Sequence, residues 1–345
     1  MKGFLKYLSP FAPDNSGVVS ALFELGGLIA ICDAGGCTGN VCGFDDPRWF
    51  TMRSAVFSTG MRDMDAILGR DKQLVEKIVS AQESVKAPFI VLVGTPVPAV
   101  IATDFKALRR MIEKRTSVPV LTVESTGVNG YDKGASKAYE MLFDTFARET
   151  YPVDPQSIGI LGCTPLDFSS CRAGEYIKHA SEGKTKVYGM GAGLADVARA
   201  SENVCNIVVA PDGIAAAKLL EKRFGTPWKV QCPWCPECVT EKIASLKGKK
   251  VVIVHQQFAG IALRKKLLEA GAAQTAVGSY FMMEKSLMEV QDRQLKEEED
   301  FLAFVREFQA DAVVADLNFK KLLRDFEGIF VDYPHFAVSG RLLES

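Results

Sequence analysis

The sequence predicts an α/β protein with three Rossmann-like domains, in which parallel sheets flanked by helices surround a central cleft. Short runs rich in β-branched residues alternate with amphipathic segments of helix length along almost the whole chain. The alternation is interrupted at residues 151–156 and 226–238, where the prolines are typical of linkers. With 48% hydrophobic residues, the 345-residue chain has enough apolar material for several cores.

The N-terminal domain is predicted over residues 1–150 and carries the first series of strands and helices. Its strands are expected at residues 28–31, 89–93 and 120–123. A helix is expected at residues 105–114, with Thr103 or Asp104 as the cap whose side-chain oxygen accepts a hydrogen bond from a free backbone amide. A second helix is expected at residues 135–148, just before the first linker.

The middle domain (151–230) and the C-terminal domain (231–345) repeat the pattern. The predicted strands are residues 158–161, 186–189 and 205–209 in the middle domain and residues 251–254, 312–315 and 329–331 in the C-terminal domain. The predicted helices cover residues 214–223 and 260–270. The first of them should end at Gly225, as helix C-termini commonly do. The charged segment 284–308 is expected to form one or two helices with a solvated face.

Charge and hydropathy exclude several classes of partner. Lys and Arg number 41 against 42 Asp and Glu, and no basic run exceeds three residues, so we expect neither nucleic acid nor an anionic membrane as a partner. The longest apolar runs are strand-sized, well short of the ~20 residues that span a bilayer. Residues 1–13 are not followed by the small-residue cleavage site of a secretory signal. The sequence therefore predicts a soluble cytoplasmic protein.

Nine cysteines in such a protein are expected to remain thiols, because the cytosol reduces disulfides. Clustered thiols in a reducing compartment indicate a metal centre. Six of the nine fall into two groups, one at Cys32, Cys37 and Cys42 and the other at Cys232, Cys235 and Cys238. Core packing is the expected role of the other three, Cys163, Cys171 and Cys205.

The segment Cys232-Pro-Trp-Cys235-Pro-Glu-Cys238 is the most specific local motif. Gaps of two residues let three thiolates surround one metal or cluster, as in bacterial ferredoxins, and the prolines lower the entropy lost when the loop is ordered. No fourth cysteine follows nearby. One interpretation is an iron–sulfur cluster with one open iron. The alternative is zinc, with a remote cysteine or histidine as the fourth ligand.

The segment that starts at Ser9, SPFAPDNSGVVSALFELGGLIAICDAGGCTGN, resembles the opening of nitrogenase component 1 subunits. In that family a turn and a helix lead to a strand and then to a Gly-Cys pair, which holds an iron–sulfur cluster at the subunit interface. Further matches keep the family's order at residues 93–96, 101–104, 119–121, 224–228 and 332–340. The resemblance therefore covers most of the chain.

Two departures distinguish the chain from the dinitrogen-reducing members of that family. Those subunits carry three cluster cysteines, whereas here the first place is occupied by Pro13-Asp14 and the third by Gly94-Thr95-Pro96. Only Cys37 matches directly, and the chain is much shorter than those subunits. The resemblance therefore implies a smaller nitrogenase-like reductase rather than an enzyme that fixes nitrogen.

The resemblance makes Cys37 the first candidate ligand of an interface cluster. Cys37 follows two glycines at the end of a predicted strand, where glycine permits a tight turn. Cys42 is the better second ligand. Cys32 is also a candidate, with packing inside the strand as its alternative. Asp14 is a weaker candidate for an oxygen ligand, with turn formation or helix capping as its alternative.

The resemblance also implies a reductase subunit that binds iron–sulfur clusters of the four-iron type or larger and pairs with a copy of itself or with a similar subunit. Electrons are expected from a separate ATP-dependent iron–sulfur reductase, because the chain has no G-x-x-x-x-G-K-[ST] loop. The expected substrate is a small molecule or a tetrapyrrole. Two alternatives are a scaffold on which a cluster is assembled and handed on, and a solute-binding α/β protein with a structural zinc.

The chain has three histidines, His179, His255 and His335. None has a histidine or glutamate partner at the sequence spacing of metal ligands, so a structural role is expected for each. His335 is a secondary catalytic candidate, as a proton donor, because it follows a predicted strand at the end where α/β proteins bind ligands.

Overall fold

The computed structural model describes residues 5–62, 64–65, 69, 71–181 and 183–343, and it confirms the predicted α/β class. These residues form three sheets, and neighbouring strands in each sheet run parallel. Helices flank the sheets, which explains why the central strands are continuous apolar runs. In the part of the chain that the structure describes, no helix is both long and apolar enough to cross a membrane.

The N-terminal sheet has the strand order β2-β1-β3-β4. Its strands are β1 (Leu28–Ile31), β2 (Ala55–Ser58), β3 (Ile90–Val93) and β4 (Val120–Val123), and its helices are α1 (Asp14–Leu22), α2 (Gly36–Asn40), α3 (Asp71–Val85), α4 (Pro96–Val100), α5 (Phe105–Thr116) and α6 (Tyr131–Phe146). The Asp104 carboxylate caps α5 by accepting a hydrogen bond from the Ala107 amide, as predicted. The sequence does not predict the edge strand β2, because half of its residues are exposed and polar or aromatic.

The middle sheet has the strand order β6-β5-β7-β8. Its strands are β5 (Asp154–Leu161), β6 (Lys184–Val187), β7 (Asn203–Val208) and β8 (Trp228–Val230), and its helices are α7 (Pro165–Phe168), α8 (Ala173–His179), α9 (Leu194–Ala198) and α10 (Ile214–Phe224). Helix α10 ends at Gly225, whose φ of 74° is a conformation that glycine adopts readily. The expected linker over residues 226–238 is corrected in its first part, because β8 pairs with β7.

The C-terminal sheet has the strand order β11-β10-β9-β12-β13. Its strands are β9 (Lys250–Val254), β10 (Gln274–Ser279), β11 (Arg293–Gln294), β12 (Ala312–Ala315) and β13 (Ile329–Asp332), and its helices are α11 (Glu237–Thr240), α12 (Gln257–Glu269), α13 (Glu298–Glu307), α14 (Leu317–Lys320) and α15 (Phe336–Ser339). Only the second half of the charged segment 284–308 is an α-helix. Its first half joins the sheet edge, because the Asp292 carboxylate accepts a hydrogen bond from the Val277 amide (2.8 Å) and pairs with Arg264.

The three units, each named after its sheet, share apolar cores. One buried cluster contains side chains of the N-terminal sheet together with Ala217 of α10 in the middle unit. Another contains Ile160 of the middle sheet together with Ile253 of the C-terminal sheet. The three units are therefore held together by buried contacts, and the exact boundaries at residues 150 and 230 stay a prediction.

Helices α1 and α6 approach each other closely through two glycines. A Cβ atom on Gly17 would lie 1.8 Å from the Tyr131 carbonyl oxygen, and one on Gly134 would lie 1.8 Å from the Asp14 carbonyl oxygen. Only glycine fits at either position. This contact fixes Asp14 and Tyr131, at the N-terminal ends of the two helices, relative to each other.

Arg48 fastens the N-terminal unit to the middle unit. Its fully buried guanidinium group pairs with Asp46 (2.7 Å) and Glu24 (2.8 Å) and donates a hydrogen bond to the Gly189 carbonyl oxygen (2.9 Å). Glu24 also accepts a hydrogen bond from the Gly191 amide (2.7 Å). Because both signs of charge are present and hydrogen-bonded, the buried group holds the turn after β6 against the N-terminal unit.

Candidate functional site

The loop that carries Cys37 follows β1 and is held in place by Asp33. The buried Asp33 carboxylate accepts hydrogen bonds from the Thr38 amide (2.8 Å), the Thr38 hydroxyl (3.0 Å) and the Ser58 hydroxyl (2.6 Å). Gly35, with a φ of 120°, makes a turn that residues with a side chain rarely adopt. Cys37 therefore lies beyond the carboxyl end of a buried parallel strand, where α/β proteins bind ligands.

Cys37 and Cys42 share one continuous helical segment, formed by α2 and a π-helical turn (Val41–Asp45). Both side chains are half-buried and pack against the same core. Burial raises the pKa of each thiol, and neighbouring carboxylates, Asp33 in both cases, raise it further. The structure thus brings these two cysteines into one neighbourhood, where metal binding would have to displace their protons.

The structure separates Cys32 from the other two cysteines of its group. Side chains of a strand alternate between the two faces of a sheet, and Cys32 continues the row of Leu28 and Ala30, which packs against α3 and α5. Cys37 and Cys42 pack against the core on the other face. Full burial raises the pKa of the Cys32 thiol to about 12. Cys32 therefore occupies a core position.

The motif of Cys232, Cys235 and Cys238 lies between β8 and α11, and its exposure increases along the chain. Cys232 is buried, with its sulfur 3.4 Å from the Trp234 carbonyl oxygen, whereas Cys235 is half-buried and Cys238 is exposed. The Tyr333 hydroxyl is hydrogen-bonded to Cys235. Burial and the three nearby sulfur atoms raise the pKa of Tyr333 well above its usual value. All three sulfur atoms thus lie near Tyr333.

One chain by itself does not supply a complete set of metal ligands. Within the described residues, no three His, Cys, Asp or Glu side chains are grouped so that they could hold a metal ion. Cys37 and Cys42 supply two thiolates, which are half of the four that a four-iron cluster takes. The donor set at this loop therefore fits an iron–sulfur cluster only when a second chain contributes.

A buried hydrogen-bonded network joins all three units. The Tyr131 hydroxyl lies 2.7 Å from Asp167 Oδ1 and 3.1 Å from His335 Nε2. The Thr164 hydroxyl donates a hydrogen bond to Asp167 Oδ2 (2.6 Å). All four side chains are buried. Tyr131 begins α6 of the N-terminal unit, Asp167 lies in α7 of the middle unit and His335 follows β13 of the C-terminal unit, so each unit contributes to the network.

His255, directly after β9, stacks between Tyr333 and His335. Its ring centroid lies 4.0 Å from that of Tyr333 and 4.2 Å from that of His335, with the planes inclined by 23° and 16°. His255 Nε2 lies 3.2 Å from the Pro334 carbonyl oxygen, which requires a proton on Nε2. Burial lowers the pKa of His255 to about 4 and that of His335 well below its usual value, so both rings are neutral near pH 7.

Two buried carboxyl groups lie in the same region. Burial raises the pKa of Asp167 to about 7, against the opposing effect of hydrogen bonds from Thr164 and Tyr131. Burial and the nearby Asp167 carboxylate raise the pKa of Asp212 well above its usual value. The backbone amides of Gly213 and Asp212 oppose this shift, but no side chain among the described residues hydrogen-bonds to either oxygen of Asp212. Burial of such a carboxylate favours its protonated form.

A cavity of about 970 Å³ opens where the three units meet at the surface. Its walls come from the segment after Cys42, from residues 171–172, and from the C-terminal segment that includes Phe336, the residue after His335. Phe44 and Phe50 line the cavity and are 74% and 75% exposed. A cavity of this size with aromatic walls is typical of small-molecule and cofactor sites.

A family model described as nitrogenase component 1 type oxidoreductase matches residues 35–243, more than half of the 345 residues. The chain belongs to this family. The matched region begins at the turn before Cys37 and extends beyond Cys238, so it includes both cysteine groups except Cys32. Nitrogenase component 1 proteins bind iron–sulfur clusters, oligomerise and work with an ATP-dependent reductase.

Individual relatives within the family are distant. The nitrogenase iron–molybdenum cofactor biosynthesis protein NifE of Methanococcus maripaludis is 28% identical over 183 residues, which cover 50% of this chain and 36% of that protein. NifE of Bradyrhizobium diazoefficiens is 29% identical over 109 residues, covering 31% of this chain and 20% of that protein. The chain thus matches about a third or less of the length of these relatives.

Solved structures show how far the fold is shared. The structure of nitrogenase Cp1 at pH 6.5 superposes with a TM-score of 0.71, covering 96% of this chain and 87% of that chain at 15% identity. A second structure of nitrogenase Cp1, at pH 5, gives a TM-score of 0.65 over 96% and 86% of the two chains. The nitrogenase component 1 fold therefore extends over nearly the whole chain.

The resemblance places Asp14 and Thr95 where dinitrogen-reducing nitrogenase component 1 subunits carry further cluster cysteines. The Asp14 carboxylate accepts hydrogen bonds from the Gly127 amide (2.7 Å) and the Thr126 amide (3.0 Å), and so fixes the loop after β4. The buried Thr95 hydroxyl donates a hydrogen bond to the Cys32 carbonyl oxygen (2.7 Å). Both side chains are engaged within the N-terminal unit, which leaves Cys37 and Cys42 as the accessible thiols of this region.

In this nitrogenase component 1 chain, the sequence predicts His335 as a candidate proton donor but not the residues that contact its side chain. The local spacing of the histidines gives no pair, whereas the structure stacks His255 on His335. The available signal was the position of each histidine just after a strand of the same series, because all strands of a parallel sheet end at the same edge of it. Tyr131 and Asp167 lie near helix N-termini and carry no local motif that marks them.

Proposed function

We propose that the chain is the catalytic subunit of a nitrogenase-like reductase. It accepts electrons from an ATP-dependent iron–sulfur reductase through a cluster bound by Cys37 and Cys42, and it reduces a small-molecule or tetrapyrrole-type substrate. The observation that carries this proposal is the pair of half-buried thiols on one segment beyond the carboxyl end of β1. The family's general use of iron–sulfur clusters supports it.

The cluster lies between two chains, in a homodimer or with a similar subunit. Four thiolates are needed, and each chain offers two at this surface, so a two-fold axis beside Cys37 completes the set. Phe44 and Phe50 extend from the same segment into solvent. Burying one such side chain contributes about 2 kcal/mol, which makes this surface favourable for association.

The chain's own residues prepare the cluster site. Asp33, through its hydrogen bonds to Thr38 and Ser58, fixes the loop before a metal binds, which lowers the entropy lost on binding. Cys37 and Cys42 must lose their protons to bind iron, so cluster assembly is favoured by higher pH. When bound, the cluster supplies one-electron transfer.

The motif of Cys232, Cys235 and Cys238 is proposed as a second metal centre, either an iron–sulfur cluster or a structural zinc. The three thiols are not grouped as metal ligands in the described structure, so binding would have to draw them together. Tyr333 supports thiolate binding there, because its hydroxyl donates a hydrogen bond to Cys235. A Cys235→Ser variant decides between the two metals. Loss of iron and sulfide indicates a cluster, loss of zinc with a lower melting temperature indicates zinc, and unchanged metal content excludes both.

The interface cluster is tested by Cys37→Ala and Cys42→Ala in protein purified without oxygen. Each variant should lose iron and acid-labile sulfide and should sediment with a smaller mass, because a cluster that bridges two chains stabilises only the assembled state. Cys205→Ala is the matched control, a half-buried cysteine in β7 of the middle unit. Unchanged iron and unchanged mass in both variants would show that these thiols hold no cluster.

A second candidate function is a scaffold on which a cluster is assembled and then handed on. It is favoured by the NifE relatives, which are cofactor biosynthesis proteins. Incubation of the iron-loaded protein with a metal-free acceptor protein distinguishes the two functions. Transfer of iron and sulfide to the acceptor supports the scaffold, whereas a retained cluster that is reduced by the partner only with ATP supports the reductase.

A further inference from the structure

We propose that Asp167, Tyr131 and His335 form a proton wire, a hydrogen-bonded chain that supplies protons to His335 as the proton donor of the reductive reaction. A reduction consumes protons together with electrons, and in this respect the inference rests on the proposed function. The wire assigns roles to Tyr131 and Asp167, two buried residues of different units. It also gives His335 a source for each proton that it donates.

The contacts of the wire are continuous. The Tyr131 oxygen is within hydrogen-bond distance of both Asp167 (2.7 Å) and His335 (3.1 Å). The Tyr131 ring is wedged against Phe281, with centroids 4.8 Å apart, and the His335 amide donates a hydrogen bond to Asp316 Oδ2 (3.0 Å). The two ends of the wire are therefore held at fixed positions relative to the tyrosine.

Two arrangements of hydrogen atoms fit these contacts. When Asp167 is protonated, it donates to the Tyr131 oxygen, Tyr131 donates to Nε2 of His335, and His335 carries its proton on Nδ1. When Asp167 is ionised, Tyr131 donates to the carboxylate and His335 donates to Tyr131 through Nε2. The change moves one proton from Asp167 to Tyr131 and one from Tyr131 to Nε2, and it releases one proton from Nδ1. The reverse change takes up one proton at Nδ1 and returns the Nε2 proton through Tyr131 to Asp167.

The surroundings of the wire allow this exchange near neutral pH. Burial of Asp167 raises its pKa to about 7, where both arrangements are populated. Burial and the neighbouring His255 keep the His335 ring neutral, so its response is a change of tautomer. The titratable groups that face the wire are Asp132 and Tyr139 of α6, Cys163 and Asp212 of the middle unit, and Cys232, His255 and Asp316 of the C-terminal unit.

The donor end of the wire is adjacent in sequence to the wall of the cavity of about 970 Å³ described above, because Phe336, the residue after His335, lines it. His335 itself is buried and is not among the lining residues. All three units contribute to the cavity wall, as they do to the wire.

Nuclear magnetic resonance of the ring nitrogens tests the wire directly, because the chain has only three histidines. The full-length protein is labelled with nitrogen-15 in the histidine rings, and His335→Gln assigns the signal. As the pH rises, Nε2 of His335 should change from an unprotonated to a protonated nitrogen with a midpoint near the Asp167 pKa of about 7. Tyr131→Phe and Asp167→Asn should each abolish the change.

Tyr139→Phe is the matched control. Tyr139 is equally buried in α6, but its hydroxyl donates to the backbone carbonyl oxygens of Cys163 and Tyr188, both at 3.2 Å. This variant should keep the change. A His335 tautomer that is constant with pH in the unmodified protein, or a change that persists in both Tyr131→Phe and Asp167→Asn, overturns the wire.

The result is independent of the tests of the proposed function, since it requires no electrons and no substrate. A protein that carries the Cys37 cluster but shows a constant His335 tautomer contradicts the wire alone. A protein with the pH-dependent tautomer but without iron in either cysteine group contradicts the reductase alone.

Discussion

Asp167 retains its proton at a pH at which an aspartate in water is ionised. The cause is burial, which raises its pKa to about 7 from the usual 3.8. Between these two values the unfolded chain has lost the proton whereas the folded chain still binds it. A proton that binds only to the folded state stabilises that state at low pH. This contribution to the free energy of unfolding therefore decreases as the pH rises from about 4 to about 7 and is then constant.

Replacement of Asp167 by asparagine should therefore flatten the pH dependence of stability. For the wild type, the free energy of unfolding should fall by up to about 1.4 kcal/mol for each unit of rising pH because of this group. Asp167→Asn should lack that part of the pH dependence. Urea unfolding at several pH values between 5 and 8 measures it. Asp212, whose pKa is raised by burial and by the Asp167 carboxylate, contributes with the same sign in both proteins, but less in Asp167→Asn because the charge of Asp167 is gone.

The exposed Asp325 provides the control for this comparison. Asp325→Asn should reproduce the wild-type slope. Equal slopes in wild type and Asp167→Asn would show that Asp167 ionises in the folded protein as it does in water.

Among the individual site residues, those that carry a local sequence motif were predicted and those that do not were missed. Cys37 and Cys42 follow a glycine turn, and His335 follows a predicted strand, so each could be selected from its neighbours in sequence. Tyr131 and Asp167 acquire their role from contacts between units, and no short pattern encodes such contacts. The core position of Cys32 follows from strand alternation, which places it with Leu28 and Ala30.

Among the elements, the strands that are buried on both faces were predictable and several edge strands were not. Strands such as β1, β3, β9 and β12 are apolar, apart from Lys250 at the start of β9, because helices cover both faces. The edge strands β2, β8 and β11 are short and partly exposed. Strand β10 is buried but contains small and polar residues. One of them, Gly278, leaves room for Phe304, which packs where a Cβ atom would lie.

The contact between α1 and α6 gives a prediction about elements. Gly134→Ala should destabilise the protein by about 3 kcal/mol, the upper end for overpacking, because the added carbon would lie 1.8 Å from the Asp14 carbonyl oxygen. Thermal or urea unfolding measures the loss. Gly39→Ala is the control, since a Cβ atom there has no neighbour within 4 Å among the described residues. Equal stability of the two variants would mean that the helices can separate without cost.

For the whole molecule, the exposed aromatic side chains predict how it assembles. Phe44→Asp should shift the protein toward the monomer and lower its iron content, because a carboxylate in an apolar interface loses its hydration without gaining a partner. Sedimentation at several concentrations, with iron analysis, measures both. Val290→Asp is the control, a fully exposed apolar side chain of the C-terminal unit. A dimeric, iron-loaded Phe44→Asp protein would place the interface elsewhere.

The proposed proton wire is complete only when all three units are in place, because each unit supplies one of its residues. Each of its two contacts, 2.7 Å and 3.1 Å, joins a different pair of units. A displacement of about 1 Å between either pair of units breaks a hydrogen bond. The wire is therefore continuous only while all three units keep these contacts. Under the proposed function, a motion that separates either pair of units would therefore stop proton delivery to His335 until the contacts form again.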